Sequence, residues 1–591
     1  MNKQIISLID AYRRKLPLEL TVFIQLFAAS AAWLKLSHDN KLDEEQCFSG
    51  TANKAQFENV LNDCVDVNFS QEIWEIKELE LTGLLNSINE LIKAKVTNFE
   101  ELSHVIKYLQ DDAGKKGGLF SVPEEVTKLG SMLITGNVQS VYCPFSRGSD
   151  FAMQWPKSVK KSGESTVQSE VFLSYVHNIL LDNNFETVNA DPIFLPHYKG
   201  DGGLEQFDAS IALPPMGMKL QSQDINDIWG RFPEKSLMGE VYFLRHMLAQ
   251  TSNIVVCFVA NGFLFRTAAG EKQFKQDMLS NKWIKAIIAL PENLLPSTGI
   301  PVSVVVLDKN KTDNNVKFID ASSSVFADKS SRTRNRLTNI DRIIEAYNSN
   351  EESDISVDAT PEQIIKNDYN LSPNRYVLSN ESKEAKEYLR QFETAKLADL
   401  VDIIRPQAVK HTEKGTDYFY EYNLSSLDDA NFVIGEGKEI KVSHNDVVKA
   451  SKQTIQCNDV LVVCKGAVGK IGFVGNEIND NAIASQAFAV LRIKPHVEVI
   501  TPEALYQFLT SKYGQQLLIE LTTGTSALML SAKDLNTLEV PLYSAEKLNQ
   551  IKEVRQSVIN TFQQIEDLKS DFINGLNKRW MEIEIIEWEL D

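Results

Sequence analysis

Between residues 119 and 310, short β-branched runs alternate with amphipathic helical windows, and this alternation constrains the fold more than any other feature. Ser140-Val141-Tyr142, Asn253-Ile254-Val255-Val256-Cys257-Phe258-Val259, Ala286-Ile287-Ile288-Ala289-Leu290 and Val302-Ser303-Val304-Val305-Val306-Leu307 are brief, continuous and apolar. Runs of that kind suit strands covered on both faces. Between them lie helical windows at 166–183, 236–250 and 271–281. Strand and helix in alternation predict a doubly wound, Rossmann-like α/β domain.

The flanks follow other patterns. Residues 1–110 carry Leu, Ile and Phe at three- and four-residue spacing and predict a helical domain, closed by a loop at Asp111-Asp112-Ala113-Gly114-Lys115-Lys116-Gly117-Gly118. A strand is expected at 316–320 and a helix near 338–349. From about 395 to 500 short strands and loops dominate, then mixed helices and a strand near 537–542. In 546–578 the apolar residues Leu548, Ile551, Val554, Val558, Phe562, Ile565, Leu568, Phe572 and Leu576 form one stripe on a helix of about eight turns. Such a helix packs on its own domain or pairs with another long helix, in cis or in trans. The expected fold is therefore multidomain, with boundaries at 1–110 (helical), 111–377 (α/β), 395–545 (mixed α/β) and 546–580 (a long, coiled-coil-like helix). No internal repeat is found.

Composition narrows the function classes. At 591 residues, 43% hydrophobic and 24% charged, the chain has the make-up of a globular protein with several cores. Its N-terminus lacks the pattern of a signal peptide, and no apolar stretch is expected to approach a membrane span. The six cysteines (47, 64, 143, 257, 457 and 464) contain no C-x-x-C pair, which points to a reduced, cytoplasmic setting without a zinc or other metal site. A net charge of −19 argues against a protein that holds nucleic acid by bulk electrostatics. It leaves room for a local DNA cleft, because fields are screened beyond roughly 8–10 Å. Residues 440–540 hold nine Lys/Arg against nine Asp/Glu and are less acidic than the whole.

The sharpest motif is Phe207-Asp208-Ala209-Ser210-Ile211-Ala212-Leu213-Pro214-Pro215-Met216-Gly217. It resembles the active-site loop of type I restriction-modification adenine methyltransferases, where a strand ends in N-P-P-F-G. In that family the Asn side chain and a proline carbonyl accept hydrogen bonds from the adenine amine, and the aromatic residue stacks on the flipped base. Further segments keep the family's order. Residues 118–126, with Phe120 and Pro123, resemble G-x-F-x-T-P, which covers the methionine end of S-adenosylmethionine. Residues 141–151 (VYCPFSRGSDF), with Cys143, Pro144, Gly148 and Ser149, stand where the family has the glycine-rich cofactor loop D-P-x-x-G-S-G-G-F. The resemblance also implies that Glu170 grips the ribose and that Asp191 contacts the cofactor's adenine. Segments at 239–244, 260–266, 289–301, 318–322 and 367–376 continue the match.

The departures fall on the chemistry. Leu213 replaces the Asn and has no acceptor, which costs roughly 2–4 kcal/mol of transition-state stabilisation. Met216 replaces the aromatic residue. Cys143 replaces the loop's opening Asp, Arg147 its first glycine and Asp150 its last, and Asp150 is expected to repel the cofactor's carboxylate. Arg147, if it points into the vacated pocket, could take a carboxylate or phosphate instead. The residues thus imply a degenerate methyltransferase site, with no cofactor expected unless the pocket still binds S-adenosylmethionine.

Residues 395–580 resemble one target-recognition domain and one spacer helix of a type I specificity subunit. The match runs through 395–404, 458–472, 482–486, 505–511, 523–531 and 535–542. Lys465 and Lys470 beside glycines suit phosphate contacts, and Thr523, Thr525 and Ser526 suit phosphate or base edges. Arg332, Arg334 and Arg336 form a second basic cluster, either on DNA backbone or in a solvated loop. The expected partners are double-stranded DNA, a second copy joined through the C-terminal helix, and other subunits of a defence or restriction complex. Three functions stay open: a DNA-recognition protein that has lost methyl transfer, an active adenine methyltransferase, and a protein-interaction subunit of a defence complex.

Overall fold

In the computed structural model the apolar runs of the middle segment become strands of a single nine-stranded sheet. They are β1 (Ser140–Tyr142), β2 (Lys160–Ser165), β3 (Phe185–Asn189), β4 (Phe207–Ala212), β5 (Thr251–Ala260), β6 (Ile284–Ala289), β7 (Val302–Asp308), β8 (Val316–Asp320) and β9 (Ser356–Ala359). Their spatial order is β3-β2-β1-β4-β5-β7-β6-β8-β9. All neighbours are parallel except where β7 inserts antiparallel between β5 and β6, and where β9 closes the edge. The central strands are buried almost throughout, as their lack of polar alternation predicts. The structure describes residues 3–16, 18–64, 73, 75–117, 121–221, 225–296, 298–331, 334–412, 415, 417–427, 432–433, 437–475, 478–522 and 529–588.

The chain divides into two compact units, Met1–Val377 and Leu378–Asp591. In the first, helices Lys3–Lys15, Leu20–His38, Lys54–Cys64, Glu78–Lys93 and Phe99–Gly117 precede the sheet. Their core continues through Phe172, Leu173, Val176 and Leu180 of the helix Gln168–Leu181, which joins the helical segment to the sheet. At this seam His177 Nδ1 lies 2.7 Å from Ser103 Oγ, and burial lowers the imidazole pKa to about 3.

Two expectations need correction. The loop at 111–118 is helical through Gly117, because Asp111 and Asp112 are fixed by partners that keep the backbone wound. Asp111 accepts from the Ser121 N–H at 3.1 Å and pairs with Arg334 at 3.2 Å, while Asp112 pairs with Arg13. The helix Leu20–His38 is long and apolar enough to cross a membrane by length and composition, contrary to the sequence reading. Thirteen of its 19 residues are instead buried inside the helical core.

The second unit holds a five-stranded sheet ordered Val401–Ile404, Phe488–Ile493, Val460–Val463, Ile471–Val474, Phe432–Val433, antiparallel until its last pair. A three-stranded sheet joins Lys438–Val442, Asp417–Tyr422 and Ala482–Ala484. Helices Pro502–Thr510 and Lys512–Glu520 follow, and the chain closes on a helix from Ala545 to Trp588. Its 44 residues, about 66 Å at 1.5 Å per residue, exceed the expected eight turns. Leu548 and Ile551 pack into the unit's core, and the Arg555 guanidinium lies 3.9 Å from the Tyr506 ring centroid.

Candidate functional site

Open α/β sheets bind ligands beyond the carboxyl ends of the strands, where the strand order reverses. Here the chain builds β1, β2 and β3 outward on one side, then returns to lay β4 on the other side of β1. The crevice is therefore flanked by the loop after Tyr142 and the loop after Ala212, the two segments singled out by sequence.

The loop after β1 makes its left-handed turns on residues other than glycine. Phe145 and Arg147 both adopt left-handed backbone, with φ of 69° and 67°, at a cost of roughly 1–2 kcal/mol each. Gly148 cannot be replaced cheaply, since a Cβ there would sit 2.5 Å from the Cys143 carbonyl oxygen. Cys143 and Pro144 are buried, Ser149 is half-buried, and burial pushes the Cys143 thiol far up, so no thiolate is available.

The polar groups around this loop are engaged with one another. The Arg147 N–H donates to Glu170 Oε2 at 2.9 Å, and Ser165 Oγ approaches the same oxygen at 3.5 Å. Burial raises the Glu170 pKa against the lowering pull of Arg147, and burial lowers that of Arg147. Glu170 thus grips the loop backbone. Asp150 is buried but does not face the crevice as an unpaired charge. It accepts from the Val122 N–H at 2.8 Å and pairs with Lys107 at 3.0 Å, which removes the basis for the expected repulsion. Pro123 is buried at the head of the helix Glu124–Met132, and Phe120 lies outside the described residues. Asp191 Oδ1 accepts from the N–H groups of Ile193 (2.8 Å) and Phe194 (3.0 Å), forming a turn.

The base-side loop is apolar. Leu213 is 1% exposed and belongs to the core cluster that includes Val122, Val126, Leu129 and Ile211. Met216 is half-buried and packs against that cluster. Pro214 is buried and Pro215 half-buried.

A buried polar relay that sequence reasoning missed lies beneath the crevice. Arg231 Nη1 donates to His246 Nδ1 at 2.8 Å, so the imidazole proton resides on Nε2. Nε2–H then donates to the Tyr142 hydroxyl at 2.8 Å, and that hydroxyl donates to Glu164, whose other oxygen accepts from the His197 N–H at 2.7 Å. Arg231 also donates to the carbonyls of Pro192 and Ile193, which fixes the segment after Asp191. These residues are scattered along the chain and share no motif.

In the second unit, Lys465 and Lys470 are exposed on the turn between Val460–Val463 and Ile471–Val474. Lys465 bridges to Met529, which sets this turn against the end of the 523–531 segment. Thr523, Thr525 and Ser526 lie outside the described residues, as does Arg332. Arg334 pairs with Asp111 and helps hold the unit together, and Arg336 is exposed. Among the described residues no group of three or more His, Cys, Asp or Glu could hold a metal ion.

Residues 100–385 match the N-6 DNA methylase family, and residues 390–578 match the type I restriction modification DNA specificity domain. The chain joins a domain of the N-6 DNA methylase family to a type I restriction modification DNA specificity domain. This fusion is 25% identical to the type I restriction enzyme MpnII methylase subunit of Mycoplasma pneumoniae, over 52% of this chain and 62% of that protein. It is 34% identical to the type I restriction enzyme EcoBI specificity subunit of Escherichia coli, over 19% of this chain and 23% of that one. The fusion therefore spans less than two thirds of either relative. The type I methyltransferase subunit of Streptococcus thermophilus superposes with a TM-score of 0.49 at 20% identity, covering 64% of the fusion and 98% of that chain.

At the crevice positions singled out by sequence, the residues differ from the pattern of the family, whose methyl donor is S-adenosylmethionine. The loop N–H of Arg147 is already bonded to Glu170, the opening carboxylate is a buried thiol, and the base-side acceptor is an alkyl group.

Proposed function

We propose that the fusion is a sequence-specific DNA-binding protein of restriction-modification or phage-defence type whose methylase half no longer transfers methyl groups. The observation that carries this reading is Leu213, buried in the sheet core where the family's reaction needs an amide oxygen. The occupied Arg147 N–H supports it from the cofactor side. In this reading residues 1–110 and 111–377 serve as scaffold, residues 395–545 bind duplex DNA in the cytoplasm, and residues 546–580 join two copies. Pairing is supported by the helix beyond Arg555, where Val558, Ile565, Leu568, Phe572 and Leu576 are each about half exposed or more. Two copies would read a bipartite or palindromic site, one half each.

The test is a calorimetric titration of the full chain with S-adenosylmethionine, followed by selection from random duplex DNA. The expected result is no binding heat and an enriched sequence. Micromolar cofactor binding favours an active adenine methyltransferase instead. A failed selection together with no cofactor binding favours a protein-interaction subunit.

A further inference from the structure

The expected DNA contacts centred on lysines and hydroxyls, yet the recognition unit gathers a more informative set of side chains at one end of its five-stranded sheet. Five segments meet there. The Cys464 N–H donates to the Ala487 carbonyl at 2.6 Å, which joins the Lys465–Lys470 turn to the turn before Phe488–Ile493. The Leu530 N–H donates to the Cys464 carbonyl at 3.1 Å, and Lys465 bridges to Met529. Arg405, immediately after Val401–Ile404, donates from Nη1 to the Phe488 carbonyl at 3.2 Å. The Ser485 N–H donates to the Tyr422 carbonyl at 2.9 Å and brings Asn423 and Ser425 alongside.

Charge sets this edge apart. The segments 404–406, 423–426, 464–470, 485–488 and 529–530 contain Arg405, Lys465 and Lys470 and no Asp or Glu, in a chain with 80 acidic and 61 basic residues. Among the described residues, neither lysine is paired with a carboxylate. Gly466 and Gly469 hold the turn at φ of 84° and 87°, and Gln515 Nε2 anchors it from behind through the Gly469 carbonyl at 2.9 Å. The result is a positioned, locally cationic rim that carries one guanidinium and one exposed carboxamide, Gln486.

We propose that Arg405 and Gln486 are the base-reading residues of this unit, while Lys465 and Lys470 hold the flanking phosphates. The assignment rests on the DNA-binding reading above. A guanidinium matches guanine O6 and N7 in the major groove, and a carboxamide matches adenine N6 and N7. Ammonium groups beside flexible backbone position the duplex without reading it. Arg405 is tethered to the Phe488 main-chain carbonyl and hydrogen-bonded to Cys464, so its remaining donors are held in a defined plane.

The experiment selects bound sequences from random duplex DNA with the full chain, then measures affinity for the enriched motif and its single-base variants by anisotropy. Gln486→Ala and Arg405→Lys are each expected to lose about 5- to 100-fold discrimination at one base pair while keeping sequence-independent affinity. The double variant Lys465→Gln, Lys470→Gln is expected to weaken binding to all sequences and to reduce the log–log salt slope by about 2. Thermal melting of Gln486→Ala, whose side chain is exposed, separates a reading defect from unfolding. An enriched motif that Q486A and R405K discriminate as the wild type does overturns this inference alone. No enriched motif for the wild type overturns the DNA-binding reading and this inference with it.

Discussion

At the residue scale, Leu213 is held by apolar packing at the position where the family carries its Asn. Restoring the family's residue would place an amide inside an apolar cluster, so Leu213→Asn is expected to destabilise the first unit by about 2–4 kcal/mol. Urea denaturation should show that loss, with no gain of methyl transfer. His177 gives a pH signature of the seam between helices and sheet. Its folded pKa of about 3 lies below the ordinary 6.5, so as pH falls the unfolded chain takes up the proton first. The stability it contributes is complete above pH 6.5 and is lost from there down towards pH 3, at up to about 1.4 kcal/mol per pH unit. His177→Gln is expected to flatten the melting temperature over that window. Single residues were legible in the sequence where a motif framed them, as at 213–216 and 143–150. Asp150 was misread because its partner Lys107 lies far upstream, and the Tyr142–His246–Arg231 relay was invisible because no spacing marks it.

At the element scale, the strands Thr251–Ala260 and Val302–Asp308 were legible because strands buried on both faces have no polar alternation to disguise them. The helix through 111–117 was not, since glycines suggested a break while the winding depends on partners at Ser121, Arg334 and Arg13. The C-terminal helix was legible from its stripe, but among the described side chains only those of its first turns find a core. Beyond them Leu568 and Phe572 are each 68% exposed. Light scattering of the full chain is expected to give a dimer at micromolar concentration, and Leu568→Glu with Phe572→Glu a monomer. An unchanged mass for that double variant would contradict pairing through this face.

At the scale of the whole molecule, the fusion keeps the frame of both halves while altering the one crevice where the family's reaction occurs. Glu170 holds the cofactor loop's backbone, and Lys107 and Val122 hold Asp150, so the altered loop is an internally bonded part of the fold. Family membership and the α/β class of the first unit could be read from the chain alone. The self-contained bonding of the crevice could not, because it depends on which groups the fold brings within 3 Å. The most direct measurement is transfer of labelled methyl groups from S-adenosylmethionine to duplex DNA carrying the sequence the full chain selects. The account predicts no incorporation above a no-protein control. Incorporation at adenine within that sequence would contradict it.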